Sequence, residues 1–103
     1  MTQMTPFQYV EFYDVPRCIV LRYREKLFLL QSAFDDDIDE YPDSYSVYVL
    51  PGWVEDSVRK GSWEFLSNTQ MSCIGHIQVK DVVFDPTKRK ELDASILDSL
   101  VND

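Results

Sequence analysis

Two apolar segments, residues 18–23 (CIVLRY) and residues 27–32 (LFLLQS), lie so close in the chain that only a hairpin can join them. A parallel crossover needs a dozen or more residues, so two adjacent strands here must run antiparallel. The first segment is rich in β-branched and aromatic residues, with Ile19, Leu21 and Tyr23 on one face and Val20, Arg22 and Arg24 on the other. Glu25 and Lys26 fill the gap, where a hairpin turn ordinarily places glycine or asparagine. The pairing is therefore constrained although the turn lacks its usual residues.

Further strands follow from the same two-residue period. Residues 8–12 read as a weak strand closed by a turn at Asp14, Val15, Pro16 and Arg17, with Pro16 supplying a preset φ and no ladder donor. Residues 45–50 alternate Tyr45, Val47 and Val49 against Ser46, Tyr48 and Leu50, and Pro51 and Gly52 end them. Residues 72–80 alternate Cys73, Gly75, Ile77 and Val79 against Ile74, His76 and Gln78, and Val82, Val83 and Phe84 continue that strand or pair with it.

Helical signals are sparser. Between residues 53 and 68, Gly61 is a break and Ser62 suits the cap of a short helical turn through Trp63, Glu64, Phe65 and Leu66; Trp53, Trp63 and Phe65 are expected to pack against one end of a sheet. Asp85 before Pro86 is one helix start. Asp93 is a better one, with Leu92 and Leu97 at staple positions and Ile96, Leu97, Leu100 and Val101 forming an apolar stripe. These elements predict an α+β architecture: a mostly antiparallel meander or small half-open barrel of five or six strands with a short C-terminal helix. An all-β small barrel is the alternative.

At 103 residues, 45% of them apolar, the chain has the material for one cored domain spanning residues 1–103, with residues 1–6 expected to be a disordered tail. The start has neither the cationic stretch nor the apolar run of a signal peptide, which predicts a cytoplasmic protein. Its longest apolar runs fall far short of the roughly 18 residues that cross a bilayer, so no membrane partner is expected. Cys18 and Cys73 lie far apart in apolar segments, without metal-ligand spacing, and are expected to be reduced core residues.

Charge is concentrated. The chain holds 18 acids and 10 bases, and residues 35–43 alone supply Asp35, Asp36, Asp37, Asp39, Glu40 and Asp43, with no base among them. Such a balance argues against a nucleic-acid partner, whose phosphates would be repelled, and favours a basic protein surface. Asp35, Asp37 and Asp39 have the alternate spacing that opens a calcium loop, but Glu40 stands where that loop needs glycine and Ser46 where it needs a bidentate glutamate. The ordinary reading of a charge run is a solvated loop; binding of a partner comes next and a metal site last. Phe34, Tyr41 and Tyr45 bracket the carboxylates and supply the aromatic anchors that interfaces favour.

Nothing else carries chemistry. His76 is the sole histidine and falls on a strand face with Gln78 and Lys80; Gly52, Gly61 and Gly75 are too few and too scattered for a phosphate-cradling loop. No catalytic residue, cofactor or metal ligand is assigned. Lys88, Arg89 and Lys90 form a basic cluster that suits contact with the acidic run within one molecule or between two copies. The function expected is a non-catalytic protein-interaction module, such as a small regulator, inhibitor or immunity-type protein. It would bind through Asp35, Asp36, Asp37, Asp39, Glu40, Tyr41 and Asp43. A divalent-cation-binding domain is the alternative, and a small enzyme the remote one.

Overall fold

The computed structural model describes residues 4–13, 15–82 and 91–100. The expected meander is present. Strands β1 (Met4–Tyr13), β2 (Val15–Tyr23), β3 (Lys26–Gln31), β4 (Ser44–Leu50) and β5 (Ser72–Gln78) pair antiparallel in sequence order. A three-residue strand, β6 (Glu91–Asp93), adds to the outer edge of β1 through Met4, Thr5 and Pro6. The strand order β5-β4-β3-β2-β1-β6 is linear, so the sheet stays open rather than closing into a barrel. One short α-helix, α1 (Trp53–Arg59), and a single helical turn, α2 (Phe65–Asn68), lie between β4 and β5. The radius of gyration, 13.1 Å, is that of one domain of this length, for which about 13 Å is expected.

The two-residue period divides the core. Phe7, Ile19, Leu21, Phe28, Leu30, Tyr45, Val47 and Ile77 are buried on one face, where Val82 and Leu97 cover them. Cys18, Val20, Leu27, Leu29 and Leu50 are buried on the other, under Val54 and Val58 of α1 and Phe65 of α2. Both faces being covered, β3 reads as an unbroken apolar run rather than a polar–apolar alternation.

The β2–β3 hairpin closes on a two-residue loop, Arg24 and Glu25, between the paired residues Tyr23 and Lys26. Both loop residues have positive φ, 52° and 65°, as a type I′ turn demands. Each non-glycine residue held there costs about 1 kcal/mol. Arg24 recovers part of this through an ion pair with Asp98 at 3.2 Å and by lying over the Tyr23 ring at 5.6 Å.

Several local expectations need correction. The stretch read as a turn at Val15, Pro16 and Arg17 is the start of β2, because proline is tolerated at a strand's first positions. The strand β1 begins at Met4, inside the stretch read as tail, because Met4, Thr5 and Pro6 find partners in β6. Trp53 is exposed, leaving Trp63 and Phe65, 5.9 Å apart, as the aromatic pair on that face. The C-terminal helix is a four-residue 3-10 helix, Ala94–Leu97, directly after β6, with Leu97 wholly buried.

Cys73 departs further. It is exposed on the edge strand, and one extra residue in β5 shifts the register against β4, so that Gly75 pairs with Val47 but Cys73 pairs with Tyr48. A one-residue slip turns every following side chain to the opposite face. Residues 1–3, Val83 and Phe84, the expected helix start at Asp85 and Pro86, and the basic cluster Lys88, Arg89 and Lys90 lie outside the described residues.

Candidate functional site

The acidic run connects β3 to β4 and has a defined shape. Asp35 and Glu40 form an antiparallel bridge, with the Asp35 N–H donating to the Glu40 carbonyl at 2.9 Å and the Glu40 N–H returning to Asp35 at 3.3 Å. Within it, the Asp37 N–H donates to Asp35 Oδ1 at 2.9 Å, the side-chain turn that aspartate favours, and Asp39 takes a positive φ of 57°. The acidic side chains of Asp36, Asp37, Asp39, Glu40 and Asp43 face solvent, whereas Asp35 is half-buried. Among the described residues no three His, Cys, Asp or Glu side chains are placed to share a metal ion.

Below the loop is a polar foundation. Arg17, buried, donates from Nη1 to Ser32 Oγ at 3.3 Å, and its guanidinium lies 4.7 Å from the centre of the Tyr41 ring. The Ser32 hydroxyl in turn donates to the Pro42 carbonyl at 3.3 Å, and the Ser32 N–H to the Arg17 carbonyl at 2.7 Å. Tyr45, fully buried, donates to the Pro16 carbonyl at 2.6 Å, and burial pushes its phenol up to about 12. Tyr41 therefore serves the base of the loop: it is half-buried and meets Phe34 edge-on at 5.3 Å. What the loop offers outward, beside its carboxylates, is apolar: Phe34 is 47% and Ile38 53% exposed. In the sequence Ile38 is a lone apolar residue inside a charge run, with no periodicity to mark it.

At the opposite end of the strands lies a second feature, which the sequence pattern does not mark. The helix α1 has an acidic first turn (Glu55, Asp56) and a basic last turn (Arg59), and it sets Val54 and Val58 on the sheet. Glu55 then projects beside Arg22 of β2. Arg22 donates to Glu55 Oε1 from Nε at 3.0 Å and from Nη2 at 2.7 Å, while Arg59 Nη2 donates to Oε2 at 3.0 Å. One carboxylate is thus held between two guanidiniums, and the Arg22 bonds, followed by that of Arg59, hold the Glu55 carboxyl below its usual range. A cleft of about 280 Å³ opens against these groups, floored by Val20, Leu27 and Val58. The i,i+4 spacing of Glu55 and Arg59 was the available sequence signal; the meeting of Arg22 with Glu55 was not legible.

The remaining candidates are placed apart. His76 is exposed on β5 opposite Ser46, with no acid–base partner described for it. Cys18 is buried and its thiol is pushed up to about 12, first by burial and then by the charge of Glu11. Among the described residues no helix is long and apolar enough to cross a membrane. No protein-family model, curated protein or solved structure matches the chain.

Proposed function

We propose that this domain is a non-catalytic protein-interaction module that presents the loop at residues 35–43 to a basic partner surface. The observation that carries this proposal is the pairing of carboxylates with exposed apolar side chains on a fixed loop. Phe34 and Ile38 stand outward among Asp36, Asp37, Asp39 and Glu40, while the Asp35–Glu40 bridge and the Arg17–Tyr41 stack hold the loop's shape. A loop that served only solubility would gain nothing by exposing an isoleucine between its bridged ends and a phenylalanine beside its base. At an interface, such side chains fill pockets on the partner and the surrounding charge speeds encounter.

A small regulator, inhibitor or immunity-type protein of the cytosol fits this arrangement, with the two free thiols in keeping with a reducing compartment. Capture from native lysate tests it. A protein recovered at low salt by the unchanged chain should be lost with Ile38→Ser and with the combined Asp36→Asn, Asp37→Asn, Asp39→Asn variant. Full recovery by both variants removes the loop from the function.

A further inference from the structure

The cleft between the sheet and α1 combines two properties that the loop lacks: an apolar floor and a local excess of positive charge. Val20, Leu27 and Val58 line it below, and Arg22, Glu55 and Arg59 stand at its edge. Two guanidiniums against one carboxylate leave a single net positive charge there, on a chain whose net charge is -8. Glu55 engages Nε and Nη2 of Arg22 and one terminal nitrogen of Arg59, so each guanidinium, exposed at the lining of the cleft, keeps N–H donors that Glu55 does not take. Gln8, exposed on β1, adds an amide at the rim.

We infer that this cleft binds a small monoanionic carboxylate with an apolar body. The carboxylate would meet the open donors of Arg22 and Arg59 beside Glu55, in the planar geometry that arginine offers a carboxylate, and the body would lie along Val20, Leu27 and Val58. Charge selects the monoanion. One negative charge neutralises the cluster, whereas a dianionic phosphate would leave an excess beside Glu55 and face the acidic chain. The floor selects an apolar body, since it offers no polar partner to a sugar or peptide group. The volume, about 280 Å³, falls just below the roughly 300–1,000 Å³ of drug-sized sites and suits a smaller ligand, of phenylacetate's size.

Titration of the full chain with phenylacetate, followed by amide and arginine Nε resonances in NMR, tests the inference. The expected result is a saturable shift at Val20, Arg22, Leu27 and Val58, with a dissociation constant on the order of 1 mM for so small a ligand. Phenylacetamide, the same size without charge, should bind at least about fivefold more weakly, and so should inorganic phosphate. Arg59→Gln, at a side chain 67% exposed and so safe for folding, should weaken phenylacetate about threefold or more. Gln8→Glu, which adds a negative charge at the rim, should do the same. No saturable shift, equal response to phenylacetamide or phosphate, or binding unchanged in both variants would each overturn the inference.

Discussion

The loop at residues 35–43 and the clamp of Arg22, Glu55 and Arg59 are opposite uses of charge at opposite ends of one sheet. The loop holds six acids over a foundation that is buried and polar, built from Arg17, Ser32 and Tyr45. The clamp holds one acid over a foundation that is buried and apolar, built from Val54, Val58 and Leu27. Many carboxylates in water make a surface that attracts. One carboxylate shared by two arginines over an apolar recess makes a site that can select, because shape and charge act at the same place. The amount of charge thus does not by itself describe what a surface presents: the loop gathers more of it, and the clamp sets less of it against apolar side chains.

The largest expected effect breaks the clamp from below. Val54→Ala removes fully buried methyl groups that seat α1 and should cost about 2 kcal/mol in urea unfolding. It should also release Glu55 from Arg22; a loss under about 0.5 kcal/mol would mean that the ion pairs, not the valines, hold the helix. Tyr45→Phe tests the other foundation and should cost about 1 kcal/mol by leaving the Pro16 carbonyl unmet. Because the folded phenol sits at about 12, above its ordinary 10, stability from this group is intact below pH 10 and is lost as pH rises toward 12. The variant should show a shallower alkaline decline, with the part due to Cys18 remaining.

A substitution in neither region sets the scale. Glu25→Gly relieves a positive φ in the β2–β3 turn and should raise stability by about 0.5–1 kcal/mol, read as a higher denaturant midpoint. Glu55→Gln should cost under about 1 kcal/mol near neutrality, as exposed ion pairs do. Its signature is pH dependence: the folded carboxyl lies below its usual range, so its contribution is full above the ordinary carboxylate value and is lost as pH falls through the folded one. The variant should therefore lose less stability than the parent between neutral and acidic pH. Smallest of all, the combined Asp36→Asn, Asp37→Asn, Asp39→Asn change should leave stability within about 0.5 kcal/mol, since these side chains face solvent. A larger shift would make the loop part of the foundation instead of a display.

Legibility in the sequence followed the range of the interactions. The two-residue period marked β2, β4 and most of β5, and an unbroken apolar run marked β3, because each strand declares itself within a few residues. The helix α1 went unread: seven residues hold only the Val54 and Val58 repeat, Gly52 gives no side-chain cap bond, and β-branched residues favour strands. The register shift in β5 was equally hidden, since an extra residue is defined only against its partner strand, and it turned Cys73 to the face of Tyr48. Of the sites, the acidic run was plain as composition. Its bridge, its buried arginine and the outward Ile38 were not.

The sequence by itself determined an antiparallel order, because the gap at Glu25 and Lys26 is too short for any other connection, and it determined where negative charge collects. Only the tertiary structure decided that the sheet stays open, that α1 covers the face of Val20 and Leu27, and that Arg22 meets a glutamate 33 residues away. The physical reason is that pairing and periodicity are local and repeat along the chain. A cleft with its bridging carboxylate exists only where two separately formed elements meet.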